Sequence, residues 1–208
     1  MLTKAARDKM TADEIINCMK EGNRRFRQGY FLTHDPLAEQ KATMGGQHPA
    51  AIILGCIDSR APAEVIMDLG IGYAFNARVA GNVVNEDILG SMEFACKVAG
   101  SKVILVMGHT SCGAVKGAID GVELGNLTGL LTKIRPAIEA VKFEGERSSK
   151  NSAFVDAVAL KNVELTIASI RERSAVLRDL EARGPADGRI KITGAVYNVE
   201  TAEVQFLS

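Results

Sequence analysis

Three short apolar runs, each followed by a helical pattern, constrain this chain more than any other feature. They are "AAIILGC" (50–56), "YAFNARVAG" (73–81) and "KVILVMGH" (102–109). The first and third carry no polar break inside the run, the pattern of strands buried on both faces. Helical patterns follow each one: "PAEVIMDLG" with Pro62 near its first turn, "EDILGSMEFACKVAG", and "CGAVKGAIDG". Strands alternating with helices predict an α/β fold, with a mainly parallel central sheet flanked by helices. In such sheets ligands sit beyond the carboxyl ends of strands, where the strand order switches. If the first and third strands are neighbours, Cys56 and His109 end them at one crevice.

The flanking segments are simpler. Thr11 with Glu14 makes a capping-box pattern, and Ile15, Ile16, Met19 and Phe26 suit an amphipathic helix behind it. A second N-terminal helix is expected from about Pro36 to Met44, ending at Gly45 and Gly46. Residues 125–174 read as mostly helical, with a break at the polar "EGERSSKN" (144–151). After "GPADG" (184–188), "RIKITGAVYNVETAEVQFL" alternates on both sides of "NVETAE", which predicts a C-terminal antiparallel hairpin and edge strand.

Composition narrows the function classes. The 208 residues suit one domain with a real core. Basic and acidic residues balance at 25 each, and there is no Trp, so nucleic-acid binding is not expected. "MLTKAARDKM" does not resemble a signal peptide and no segment has the apolar length of a membrane span, so a cytoplasmic protein is expected. The four cysteines, Cys18, Cys56, Cys96 and Cys112, are too dispersed for a disulfide scaffold. Cys18 and Cys96 lie in helical patterns beside apolar residues and read as core fillers.

The chemistry concentrates in two stretches. "GHTSCG" places His109 and Cys112 three apart at a strand-to-helix turn, so one loop offers an imidazole and a thiolate. Alone, H-x-x-C is a weak signal, and Cys56 alone reads as a small buried residue. Together they form two sulfurs and one nitrogen, a set suited to tetrahedral Zn²⁺ with one position open. Asp58 and Arg60 follow Cys56 at alternate positions. Asp58 is either a fourth ligand that closes the site or a partner of Arg60, ionised and ready to accept a hydrogen bond from a zinc-bound hydroxide. The plain alternative is a loop salt bridge of little energetic consequence.

"CIDSR" and "HTSCG" resemble the C-x-D-x-R and H-x-x-C motifs of the β-class carbonic anhydrases, with matching spacing of 52 residues between Cys56 and His109. "EGNRRFRQG" and "GQHPAAIILGCIDSRAPAE" extend the resemblance, which runs from about residue 11 to the final hairpin. It implies a single domain over 1–208, with an N-terminal helical arm (1–48) and a zinc-binding α/β core (49–208). It implies one Zn²⁺ per chain on Cys56, His109 and Cys112, with Asp58 and Arg60 as an orienting dyad. Gln47 matches a substrate-binding glutamine, and Phe75 an apolar pocket residue contributed across a dimer interface. The implied reaction is reversible hydration of CO₂ to bicarbonate and a proton, in a homodimer or homotetramer. Ile53 and Phe94 replace the Trp and Tyr with which some members hold an inhibitory bicarbonate; only Arg78 matches, so no such switch is expected. No histidine stands out as a proton shuttle; His34 and His48 are candidates only by elimination and read as surface residues. Competing readings are a carbonyl sulfide or carbon disulfide hydrolase of the same family, and a non-catalytic zinc protein with Asp58 as fourth ligand. A nucleotide-binding domain is disfavoured, because "GHTSCGAVKG" lacks phosphate-loop spacing.

Overall fold

The computed structural model describes residues 2–183 and 189–207, so the break expected at "GPADG" lies outside the described residues. In chain order the elements are α1 (Lys4–Lys9), α2 (Ala12–Gln28), α3 (Pro36–Thr43), β1 (Ala51–Gly55), α4 (Ala63–Ile66), β2 (Ala74–Arg78), α5 (Glu86–Glu93), β3 (Val103–His109), α6 (Gly113–Ile119), α7 (Gly125–Thr132), α8 (Arg135–Ala140), α9 (Ser152–Arg173), α10 (Ala175–Glu181), β4 (Lys191–Tyr197) and β5 (Val204–Phe206).

The five strands form one sheet in the order β2-β1-β3-β4-β5. β1 pairs in parallel with β2 on one side and β3 on the other, and β3 pairs in parallel with β4. β5 returns antiparallel on β4, the expected hairpin. Every residue of β1 and β3 is buried, which explains their unbroken apolar sequence. Ile53, Leu105 and Met107 face a layer containing Ile15, Ile16 and Met19 of α2 and Ile66 of α4. Ile52, Leu54, Ile104 and Val106 face the opposite layer, with Leu89 and Met92 of α5, Val163 and Ile167 of α9, and Leu177 and Leu180 of α10.

Local chemistry sets several boundaries. Thr11 and Glu14 form the complete capping box, and Gly29 ends α2 in the left-handed region at φ 71°. α2 crosses the chain so closely that a Cβ at Gly22 would lie 1.8 Å from the Met67 carbonyl oxygen, which only glycine permits. The helix expected after β1 is a single turn, with Pro62 at the position just before it. α5 continues as a π-helical turn over Phe94–Val98, where Ala99 N–H reaches the Phe94 carbonyl at 2.9 Å and Ala95 and Cys96 are buried. Residues 125–174 divide into α7, α8 and α9; the break runs from 141 to 151, and α10 continues the helical region beyond it. α1 was not anticipated; it is a short helix capped by the Thr3 side chain and anchored by Arg7, which donates to the Ala99 carbonyl at 2.7 Å.

Candidate metal centre and active site

The chain leaves β1 for β2 on one side and later returns to β3 on the other. That switch opens the sheet beyond the carboxyl ends of β1 and β3. Cys56 follows β1, His109 ends β3, and Cys112 caps the start of α6. One ligating atom from each of the three lies within 4.8 Å of the others, and all three residues are buried. A third apolar layer closes round them, from Val83 and Val115 to Leu131, Ile134 and Phe154.

The donor set fits a soft-to-borderline cation. His109 Nδ1 stands 2.9 Å from the Thr110 carbonyl oxygen, which can only accept, so Nδ1 carries the proton. Nε2 is then left buried with its lone pair and no hydrogen-bond partner. An orphaned ring nitrogen beside two free thiols is what a metal ion would satisfy. The thiols already interact: the hydrogen bond from Cys112 holds Cys56 well below the ordinary thiol range. The same contact, with burial, pushes Cys112 up, so the pair gives up one proton readily and the second with difficulty. Gly81 N–H donates to Cys56 Sγ at 3.3 Å. Burial opposes charge on His109, and the Cys56 sulfur, the Thr110 carbonyl and Asp58 together favour it, so its pKa is raised.

Asp58 and Arg60 form a closed pair. Asp58 Oδ1 accepts from the Arg60 backbone N–H at 2.9 Å and from its Nε at 3.0 Å, while Oδ2 accepts from Nη2 at 2.8 Å. Arg60 thereby holds the Asp58 carboxyl well below the usual carboxylate range, against the opposing effect of burial. Asp58 Oδ2 also lies 3.8 Å from His109 Nε2, so the ionised acceptor borders the ligand cluster.

Five of the residues singled out in the sequence therefore come together: Cys56, Asp58, Arg60, His109 and Cys112. Gln47 lies exposed on the connection between α3 and β1. Phe75 sits on β2, packed against the layer holding Ile52 and Leu54, its ring 6.2 Å from that of Phe94. Among the described residues, neither Gln47 nor Phe75 is joined to the thiol–imidazole group by a hydrogen bond or ring contact. Cys96 is buried as expected, and burial pushes its thiol up to about 12. Cys18 is exposed, contrary to expectation, because the buried stripe of α2 runs through Ile15, Ile16, Met19, Gly22 and Asn23 and leaves it on the flank. His34 is no simple surface residue either: its ring bridges Glu39 and Asp68.

Three supporting residues make contacts that the sequence did not reveal, although Arg78 itself matched a family position. Arg78 donates to the carbonyls of Cys56 and Asp58. Asp156, on α9, accepts from the Ser111 N–H at 2.8 Å. Asn162 donates to the Gly81 carbonyl at 2.7 Å. Each joins a side chain to a distant backbone group, and a backbone group leaves no trace in residue identity.

Comparison with known proteins agrees with this geometry. A protein of Mycobacterium tuberculosis named carbonic anhydrase 2 is 35% identical over 186 residues, covering 88% of this chain and 86% of its own length. One of Mycolicibacterium smegmatis named carbonic anhydrase is 33% identical over 192 residues, covering 91% of this chain and 90% of its own. Among solved structures, a Coccomyxa β-carbonic anhydrase in complex with acetazolamide superposes with a TM-score of 0.72 at 26% identity, over 82% of this chain and 77% of that one. The carbonic anhydrase family model matches residues 51–204, which take in both ligand-bearing strand ends and the Asp58–Arg60 pair, and the chain belongs to the β-class carbonic anhydrase family.

Proposed function

We propose that this protein catalyses the reversible hydration of CO₂ to bicarbonate and a proton, with one Zn²⁺ per chain held by Cys56, His109 and Cys112. The observation that carries the reading is the buried, orphaned His109 Nε2 between two free thiols, bordered by a carboxylate already committed to an arginine. Bound zinc supplies the Lewis acidity that makes water a nucleophile at neutral pH.

The chain's own residues do the rest. The Thr110 carbonyl fixes the His109 tautomer and so directs Nε2 to the metal. Arg60 keeps Asp58 ionised and takes up three of its acceptor directions. Asp58 Oδ2, on the side of the ligand cluster, would accept a hydrogen bond from the nucleophile and so orient it towards CO₂. Arg60 neutralises the acid without competing for the metal. The pairing also counts against a closed, purely structural site with Asp58 as fourth ligand, because Arg60 would then lose its partner. We assign Gln47 and Phe75 to substrate binding by family resemblance, Phe75 acting across a subunit interface. The arm (1–48) and core (49–208) work as one unit in a homodimer or homotetramer.

Zinc analysis with stopped-flow CO₂ hydration of wild type and Asp58→Ala tests the reading. Wild type should hold one zinc per chain and turn over. Asp58→Ala should keep its zinc and lose about 10²-fold or more in rate. Parallel assays with carbonyl sulfide and carbon disulfide distinguish a related hydrolase. A wild type with full zinc and no CO₂ hydration would refute the assignment.

A further inference from the structure

We propose that Arg78 is a positioning residue that clamps the Cys56–Asp58 turn, so that the Asp58 carboxylate stays on Arg60 and off the metal position. The inference rests on the metal reading above and concerns which of two states Asp58 adopts.

Within the turn, Ala61 N–H donates to the Asp58 carbonyl at 3.0 Å and Arg60 N–H to Asp58 Oδ1, but neither reaches the Cys56 carbonyl. Ile57, between the metal ligand and the acid, is 62% exposed, so packing does not fix the peptide planes on either side. Arg78 does. It ends β2, in register with Gly55 at the end of β1. Its Nε donates to the Cys56 carbonyl at 2.8 Å and its Nη2 to the Asp58 carbonyl at 2.6 Å. Nε and one Nη lie on the same edge of a planar fork, so one guanidinium grips two carbonyls two residues apart, which an ammonium cannot reproduce. The segment carrying Arg78 is itself anchored to the same turn. Val79 N–H donates to the Gly55 carbonyl at 3.1 Å, and Gly81 N–H to Cys56 Sγ. Asn162 ties that segment to α9 through the Gly81 carbonyl.

The clamp matters because Asp58 has a competing destination. Its Oδ2 is already 3.8 Å from His109 Nε2, and a divalent cation beside that nitrogen attracts a carboxylate. To ligate the metal, Asp58 must leave Arg60; where that move carries the Ile57–Asp58 backbone with it, the Asp58 carbonyl leaves Arg78 and a short charge-assisted hydrogen bond breaks. Arg60 holds the carboxylate from the front, while Arg78 holds the backbone behind it. Both contacts of Arg78 with the turn are to backbone carbonyls rather than to the side chains of Cys56 and Asp58, so it acts on them through geometry.

The test compares wild type, Arg78→Met, Arg78→Lys and the double variant Arg78→Met/Asp58→Asn, each loaded with zinc for kinetics and with cobalt for visible absorption. Wild-type cobalt protein should show an absorption band that titrates near neutral pH, as an open metal position does. Arg78→Met should keep one metal per chain, lose about 10–100-fold in CO₂ hydration at neutral pH, and give a band that no longer titrates there. The Asp58→Asn change should restore the titrating band, because the competing carboxylate is gone. Should Arg78→Met fail to fold, Arg78→Lys carries the same test, keeping the charge without the fork. A band and titration in the single variants that superpose on wild type overturn the proposal, whatever their activity. So does loss of metal from both, since the clamp would then belong to metal binding itself. A wild type whose cobalt band titrates but which does not hydrate CO₂ refutes the proposed activity instead, and the cobalt spectra still decide the role of Arg78.

Discussion

Ser111, between His109 and Cys112, sits at φ 55°, a left-handed conformation that side chains other than glycine seldom adopt. The turn needs it, because three residues must carry the chain from the end of β3 to the first turn of α6 with both donors facing inward. Asp156 holds the conformation by accepting the Ser111 N–H. Replacing Asp156 with Ala should therefore lower zinc affinity by about tenfold, the usual range for supporting residues round a metal. It should also cost about 1 kcal/mol of stability for the lost hydrogen bond. Chelator competition and denaturant melts of the apo-protein measure the two effects separately. The spacing of His109 and Cys112 shows in the sequence because both sit in one loop. Asp156 does not, because 45 residues separate it from its partner and nothing in a helix sequence marks an acid that caps another turn.

At the scale of elements, the arm is fastened by a charge cluster. His34 Nδ1 lies 3.0 Å from Glu39 Oε1 and Nε2 lies 3.2 Å from Asp68 Oδ1. Carboxylates only accept, so both contacts are hydrogen bonds only when the ring is an imidazolium. Asp68 also accepts from Arg25 of α2 at 2.6 Å and from Leu32 N–H at 3.1 Å; Glu39 of α3 accepts from Ile71 N–H at 2.9 Å. One histidine thus joins α2, α3 and the turn before β2. The hydrogen bond to Glu39 raises the His34 pKa, against burial. Because the folded-state pKa lies above the ordinary value of about 6.5, the stabilisation is complete below that pH and disappears as pH rises through the folded pKa. Urea melts at pH 6 and pH 9 should show wild type losing stability with rising pH by a component that His34→Ala lacks. Equal pH dependence in both proteins would contradict this. The capping box of α2 was readable from Thr11 and Glu14, since a cap is local. The role of His34 was not, since Asp68 lies 34 residues away on another element.

For the whole molecule, several large apolar side chains of the described residues stay exposed. Tyr30, Phe31, Leu32, Leu37 and Met44 of the arm are exposed, as are Val65 and Ile71 near β2, and β2 is an unpaired edge of the sheet. We take those of the arm to pack against a second copy of the chain. Light scattering should therefore give the mass of a dimer or tetramer. Phe31→Ser with Leu37→Ser should shift that mass towards the monomer without unfolding the chain, because neither side chain is part of the buried core. A monomeric wild type would contradict the assembly. No described helix is long and apolar enough to cross a membrane.

The sequence by itself determined the parts whose physics is local or repeats within one segment. These were the buried strands from their unbroken apolar runs, the alternating helices, the capped arm helix, the final hairpin, and the pairs of chemical groups carried by "CIDSR" and "HTSCG". Cys56 and His109 could be expected to meet because parallel strands expose their carboxyl ends on one side of the sheet. Only the tertiary structure decided that β1 and β3 are neighbours, that Asp58 lies against Arg60, and that Arg78, Asp156 and Asn162 brace the ligand loops. The physical reason is the same in each case. A hydrogen bond from a side chain to a distant carbonyl or N–H depends on where the backbone passes, and every residue other than proline carries the same two backbone groups.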